Sequence, residues 1–218
     1  ADQVGLLWGV QHTPYAVGAV PHITPWLLLA MTVAGAAFGL TGKVFADSTH
    51  ALSSVMKKHI AYAPLRPLLG GAVLAVVVLW GSMDRYIGLG IPVMVEAFQH
   101  PLAPTDFLGK MVFTMASLGA GFKGGEVTPL FYIGATLGNA MAPLLDVPFA
   151  LLAAVGFVAV FAGAANTPIA STLMAMELFG AELGVYAALA CVVSYLCSGH
   201  AGIYRAQRVD QPKGHPPS

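Results

Sequence analysis

An all-α membrane protein built of interrupted helices is the fold class the sequence predicts, and three observations carry that prediction. Of 218 residues, 57% are hydrophobic and 9% are charged, where a soluble domain has about a quarter of its residues charged, and the mean hydropathy is +0.75. Apolar runs recur over the whole length with no stretch of soluble-domain composition, which favours a polytopic helical domain over a single anchor carrying a separate enzyme. Runs such as LLGGAVLAVVVLW and FALLAAVGFVAVFAGAA are apolar on every side, whereas barrel strands would alternate polar and apolar residues over about ten positions.

Ten basic and ten acidic residues leave no net charge, so nothing suggests nucleic acid or an acidic partner. Both cysteines, Cys191 and Cys197, fall in the late apolar run ALACVVSYLC, where buried thiols are expected rather than a disulfide or a metal site. The start, ADQVGLLWGV, lacks a methionine and a basic region ahead of an apolar one; no signal peptide is expected, and the chain reads as a fragment.

Residues 1–25 form an approach punctuated by Gly, Pro and His that ends at Thr24-Pro25, a cap and first helical position for WLLLAMTVAGAAFGL. Near Gly42-Lys43 the character shifts to the polar, amphipathic VFADSTHALSSVMKKHI. Its Lys57, Lys58 and His59, with Arg66 beyond, are the densest basic cluster and place that end on the cytoplasmic side. Pro67 opens the span PLLGGAVLAVVVLW, and Asp84 and Arg85 mark a water-facing turn at its far end. GLGIPVMVEAFQ is too short to cross and reads as a partial helix. PLAPTD, residues 101–106, is a linker, and FLGKMVFTMASLGAGF leads into the central motif. PLFYIGATLGNAMAPLL is predicted to stop at Pro143 and Asp146-Val147-Pro148. PFALLAAVGFVAVFAGAAN and PIASTLMAMELF, broken at Asn166-Thr167-Pro168, form a hairpin in which Gly156, Gly163, Ala164 and Ala165 permit close packing. The last span is LGVYAALACVVSYLCSG, and Arg205, Arg208 and Lys213 in the polar tail place the C-terminus in the cytoplasm. Met31, Met111, Met115, Met174 and Met176 read as packing residues.

The organising stretch is SLGAGFKGGEVTPLFYIGATLGN, residues 117–139, which sets the carboxylate of Glu126 in a glycine-rich turn between two apolar spans. Gly119, Gly121, Gly124 and Gly125 allow backbone conformations closed to other residues. Thr128-Pro129 reads as an N-cap followed by the first residue of a helix. The first N–H groups of that helix have no intrahelical acceptor and carry the positive end of the macrodipole, so the turn offers a donor-rich pocket suited to an anion. The plainer reading is a glycine hinge with Glu126 solvated at a membrane surface. A phosphate loop is excluded, because neither G-x-x-x-x-G-K-[ST] nor G-x-G-x-x-G occurs after a strand.

These residues resemble the C-terminal half of a CLC anion channel or anion/proton antiporter over nearly the whole chain. GGEVTP stands where that family carries a Gly-Gly-x-Phe-x-Pro signature ahead of an anion-facing helix. GVYAALACVVSYLCSGHAGIYRAQR is similar to the family's last long helix, the turn after it and the tyrosine that begins a final cytoplasmic helix. NTPIASTLMAMELFG is similar to the segment ending near a family glutamate, here Glu177. Val127 replaces the usual Phe and is preceded by Glu126, which resembles the fluoride/proton antiporter branch more than the chloride branch.

The resemblance implies a CLC-like fold of broken and re-entrant helices: a single transmembrane domain over 1–218 with a cytoplasmic tail at 206–218, holding the second inverted repeat and the last helix of the first. It implies a homodimer with one ion pathway per subunit, facing its partner through helices near 26–40, 169–179 and 185–196. It implies anion contacts at Gly124, Gly125, Glu126, Val127, Thr128 and Tyr204, with the gating glutamate and the central anion-discriminating side chain in a missing N-terminal half. Transport of fluoride against protons is the leading expectation, with no cofactor beyond the transported ions; the alternatives are a chloride channel or chloride/proton antiporter.

Each role has a competing one. Glu126 could take up a proton or shape the anion site; burial would raise its pKa and a helix N-terminus would lower it. Thr128 could cap its helix or turn its hydroxyl to the anion. Val127 offers its backbone N–H. Tyr204 could donate its phenol to the anion or serve as an interfacial aromatic anchor. An intramembrane enzyme is disfavoured, because no Ser/His pair, aspartate pair or zinc motif falls within apolar spans. The seven histidines show no H-x-x-x-H or H-E-x-x-H pairing, so no metal is expected.

Overall fold

The computed structural model describes Tyr15, residues 17–81 and 83–199, residues 202–204 and Gln207. Among them run eight α-helices: α1 Pro25–His59, α2 Leu65–Gly81, α3 Ile91–Ala97, α4 Asp106–Gly119, α5 Val127–Leu145, α6 Phe149–Ala165, α7 Pro168–Phe179 and α8 Gly184–Cys197. Two 3-10 turns, Asp84–Tyr86 and Ala181–Leu183, join α2 to α3 and α7 to α8. Arg205, Arg208, Lys213 and the rest of the expected tail, like most of the N-terminal approach, lie outside the described residues.

Thr24 caps α1 as expected: its side-chain oxygen accepts from Leu27 N, and Pro25 takes the first helical position. The change of polarity expected near Gly42-Lys43 does not interrupt the helix. The apolar span and the polar stretch after it are one helix of 35 residues, roughly 50 Å long at 1.5 Å per residue, which exceeds the ~30 Å hydrocarbon thickness of a bilayer. Gly42 is a packing residue there, since a Cβ would press on Val160 O and the backbone of Ala164. Arg66 folds back on the end of α1, donating to Ile60 O at 2.7 Å and Ala61 O at 3.2 Å.

The other helices are short, from 7 to 19 residues, and α1 alone among the described helices is long and apolar enough to cross a membrane by length and composition. None of the residues of α2 is buried; Leu68, Val73, Leu79 and Trp80 stand exposed. The centre of the molecule is α6, apolar on all sides and almost wholly buried, packed against α5, α8, α1 and α7.

The tightest seam is between α5 and α6. Methyl groups on Gly134 or Gly138 would overlap the carbonyls of Gly156 and Leu152, so the two backbones touch through a Gly-x-x-x-Gly face. Gly156 answers from α6, as expected from its small size, and Gly163 lies against Ser194, whose hydroxyl donates to Ala159 O at 2.6 Å. Phe131 and Phe157 stack across the seam with ring centroids 4.2 Å apart. Met31 and Met111 are buried, and Met115 and Met174 pack on the core, whereas Met176 is exposed. Both cysteines are free thiols, Cys191 buried and Cys197 partly so.

The stop expected at Pro143 and Asp146-Val147-Pro148 is found at the second of these: helix α5 carries Pro143 in its last turn and runs to Leu145, where Asp146 turns left-handed (φ 52°) and returns its N–H to Ala142 O. A proline in the last turn forfeits one hydrogen bond without forcing the chain out of the helix. One expectation is corrected: Thr128 is not the N-cap of α5. The cap is Glu126, with Val127, Thr128 and Pro129 as the first three helical residues. The N–H groups of a first turn have no intrahelical acceptor, so a proline fits at any of these positions and fixes the start only to within a turn. Thr167 and Pro168, by contrast, do take the N-cap and first helical positions of α7, although the Thr167 side chain makes no capping bond.

Candidate functional site

Residues 120–126 connect α4 to α5 and carry the candidate site. Of the motif's four glycines, Gly119, Gly121, Gly124 and Gly125, only Gly121 has a positive φ (99°), the conformation that makes glycine necessary. Gly119 closes α4 beneath the side chain of Leu52. Gly124 and Gly125 have no atom within 4 Å of where a Cβ would stand. Their lack of side chains therefore leaves space rather than relieving strain.

That space is two cavities. One, of about 550 Å³, lies between α2, α4 and the start of α5, with Leu74, Val78, Phe113 and Phe122 in a largely apolar wall that Gly124, Gly125 and Pro129 complete. The other, of about 390 Å³, lies against the polar half of α1, where Thr49, His50, Ser53 and Lys57 meet Lys123, Gly124 and Glu126. Gly124 belongs to both walls. The structure thus brings Gly124, Gly125 and Glu126 together, with Val127 and Thr128 on the adjoining helical turn. Tyr204 lies apart from both walls and is 47% exposed, although its neighbour Ile203 lines the polar cavity and bonds through its N–H to Ala164 O at 2.9 Å.

Helix α5 presents few donors at this end. Leu130 N is already bonded to Glu126 O and Pro129 has no N–H, so the orphan amides of the first helical turn are those of Val127 and Thr128. The carboxylate of Glu126 sits just ahead of them. Its Oε2 is buried and has no hydrogen-bond partner among the described residues. Glu126 belongs to the connection rather than to a helical span, and burial raises its pKa above the ordinary carboxylate value while the charge of His50 opposes the rise. His50 is held by a contact of 3.0 Å between Nε2 and Gly202 O.

Sequence reasoning passed over a cluster of charges, two of them buried, beside the larger cavity, whose wall includes Lys110 and Tyr86. Asp106, 2% exposed, accepts from Arg85 Nη2 at 2.8 Å and from the Tyr86 hydroxyl at 3.1 Å. Arg85 also lies 3.6 Å from Glu96. Lys110, 2% exposed, donates to Tyr86 O and Gly88 O and lies 5.1 Å from the centre of the Tyr132 ring. The signal was present, since a lysine within an apolar run is costly unless paired. Arg85, expected to face water, is half engaged in this cluster.

Interrupted helices around one buried helix define a polytopic helical membrane protein, with a candidate site at a helix start whose carboxylate lines the polar cavity. The chain belongs to the voltage gated chloride channel family, whose model matches residues 1–199. A chloride/fluoride channel protein of Pseudomonas syringae pv. tomato is 60% identical over 224 residues, covering 100% of this chain and 49% of that protein. An H(+)/Cl(-) exchange transporter, ClcA, of Vibrio parahaemolyticus is 27% identical over 173 residues, or 71% of this chain and 35% of that one. A crystal structure of a CLC-type fluoride/proton antiporter superposes with a TM-score of 0.89 at 31% identity, over 94% of this chain and 52% of that one. The all-helical CLC-type fold expected from the motifs is the fold found. The chain spans between about a third and a half of the length of the curated relatives it matches.

Proposed function

We propose that the chain is the C-terminal half of a CLC-type membrane transporter that moves an anion, fluoride above all, in exchange for protons. The observation that carries this reading is Glu126: a carboxylate with a buried oxygen that has no hydrogen-bond partner among the described residues, next to the amide donors of Val127 and Thr128, where a proton and an anion can be handled side by side. The likeness to a fluoride/proton antiporter supports it. In this reading Gly124 and Gly125 keep the approach open, the amides of Val127 and Thr128 face the anion, and Tyr204 supplies a phenol donor, its hydroxyl completing the site together with the preceding half of the protein.

That half holds the remaining anion contacts, and no cofactor is needed beyond the transported ions. The protein works as a homodimer in a bacterial plasma membrane with its C-terminus in the cytoplasm. Apolar residues left exposed on α1, α7 and α8, among them Leu29, Ile169, Leu173 and Val192, support the pairing. A passive chloride or fluoride channel is the second reading, favoured by the name of the 60% identical relative.

Flux in liposomes separates the two. With the full-length protein, a fluoride gradient should drive protons uphill if exchange is coupled, and Glu126→Gln should slow that exchange because an amide keeps the shape but carries no proton. Fluoride flux without proton movement selects the channel. Parent-like coupled exchange by Glu126→Gln removes Glu126 from the proton path.

A further inference from the structure

The peptide that leads into Tyr204 is held at both of its polar atoms. Gly202 O lies 3.0 Å from Nε2 of His50 on α1, and Ile203 N, in the same peptide unit, donates to Ala164 O at the end of α6 at 2.9 Å. A carbonyl can only accept, so Nε2 carries a proton and His50 is the donor. We propose that His50 is a positioning residue: by clamping this peptide between α1 and α6 it sets where the Tyr204 phenol meets the anion. The proposal rests on the reading of Tyr204 as an anion contact.

The case is geometric. A peptide unit is planar, so a grip on its oxygen from one helix and on its nitrogen from another fixes the plane. The two helices are themselves locked together beside it, since a Cβ on Gly42 of α1 would stand 3.1 Å from Val160 O and 3.2 Å from Ala164 N of α6. Gly202 fits the gap because it has no side chain: a methyl group there would come within 2.7 Å of Asn166 Nδ2 and 3.2 Å of Ala164 O. The Ile203 side chain is 6% exposed and belongs to the hydrophobic core, which fixes the next rotation along the chain and leaves a single backbone rotation between the clamped plane and Tyr204. Beyond it, Tyr204 O accepts from Gln207 N at 3.1 Å. The Tyr204 side chain is half exposed, so its position is inherited from this backbone more than from packing around the ring.

Among these restraints the His50 bond is the one made by a polar side chain, the partners Ala164 O and Gln207 N being backbone atoms. It can therefore be removed without rebuilding the main chain. His50 also shares a cavity wall with Glu126 and Ile203, so one side chain of α1 holds the segment that carries Tyr204 beside the turn that carries the carboxylate. Glutamine places an N–H donor as far along the side chain as histidine does and lacks the ring's charge, whereas leucine and alanine donate nothing. The donor and the charge of His50 are thus separable by substitution.

Isothermal titration of the full-length protein with fluoride at fixed pH reads the consequence. His50→Ala should weaken binding about fivefold, the scale on which one ordinary hydrogen bond acts, while His50→Gln stays within about twofold of the parent. Because the effect runs through the phenol, His50→Ala should add less than about twofold to Tyr204→Phe. Should the alanine variant fail to fold, His50→Leu keeps the bulk without the donor and is expected to behave alike. Fluorine NMR with 3-fluorotyrosine in place of Tyr204 reads the clamp with no anion present: one resonance in the parent and in His50→Gln, a broadened or split one in His50→Ala. Parent-like affinity in His50→Ala, a glutamine as damaging as the alanine, the full fivefold loss on top of Tyr204→Phe, or an unaltered resonance would each overturn the proposal. If Tyr204→Phe binds fluoride as the parent does, the reading of Tyr204 as an anion contact fails and takes the proposal with it, an outcome told apart by a fluorine resonance that still broadens in His50→Ala.

Discussion

Asn139 gives a quantitative test of how α5 is held. It lies one and a half turns before the end of the helix, 1% exposed, and its side chain satisfies three backbone groups of the α3–α4 connection. Nδ2 donates to Ala97 O at 2.7 Å and to His100 O at 2.8 Å, and Oδ1 accepts from Leu102 N at 2.9 Å. Leucine at 139 would fill similar space but strand all three. Ala97 is fully buried, and an unsatisfied buried carbonyl costs about 1–3 kcal/mol. His100 is exposed and Leu102 partly so, so their groups can turn to water and each loss is worth about 0.5–1.5 kcal/mol. The expected destabilisation by Asn139→Leu is therefore about 2–6 kcal/mol, centred near about 4 kcal/mol. Asn139→Asp should be worse at neutral pH, because a carboxylate keeps the Leu102 bond but points a charged oxygen at two carbonyls. Acidification should recover part of that loss, since the protonated acid donates one bond. Thermal unfolding of the purified full-length protein in detergent reads all three. An Asn139→Leu protein as stable as the parent, or an aspartate variant milder than the leucine, would refute the reasoning.

Three further outcomes are expected. Gly134→Leu should prevent α5 and α6 from touching through Gly156, costing at least the 1–3 kcal/mol typical of overpacking; normal yield and melting temperature would mean that the seam yields. Tyr204→Phe should weaken fluoride binding about tenfold while leaving stability unchanged, because it removes one hydroxyl donor to a charged ligand, worth about 1.5–3 kcal/mol; isothermal titration with parent-like affinity would return Tyr204 to the role of aromatic anchor. His50→Gln should move the Glu126-dependent step of the pH–flux profile upward, since the His50 charge lowers the Glu126 pKa against the raising effect of burial; a downward or absent shift would separate the two residues.

Much of the helical order was legible because prolines and small polar caps punctuate apolar runs. Thr24-Pro25 and Thr167-Pro168 were both read to the residue, as their positions at the helix starts show. Thr128-Pro129 was misplaced by two residues, because a proline marks a first turn and not a particular position within it. The unity of α1 was hidden by composition: polarity changes at Gly42, but polarity decides which medium a helix meets and not whether the backbone bonds continue. Of the site, the glycines and Glu126 were visible as a motif, while the two cavities were not, since their other walls come from α1, α2 and α4, up to 77 positions away in sequence at Thr49. The Gly134-x-x-x-Gly138 seam and buried Lys110 were readable by pattern and were missed beside the stronger glycine signal at 119–125.

The two halves of α5 do opposite jobs, and each depends on the other. From Gly134 onward the helix is fixed: two glycines seat it on α6, and Asn139 bolts it to the α3–α4 connection. At its start there are a cap, Glu126, that makes no side-chain capping bond, two orphan amides and a buried carboxylate oxygen with no hydrogen-bond partner among the described residues, an arrangement that costs free energy in the resting protein. Orphan N–H groups at a helix start are met by caps, water or ligands, and the glycine seam about two turns away fixes where these ones stand. Stability at the far end is therefore what permits a ligand-ready geometry at the near one. On this view seam variants such as Gly138→Ala should lose anion affinity in proportion to lost stability, whereas Glu126→Gln should change coupling while leaving the melting temperature at or above that of the parent. If Glu126→Gln instead destabilised the protein as much as the seam variants do, the start of α5 would be part of its support, and the division of labour proposed for this helix would be wrong.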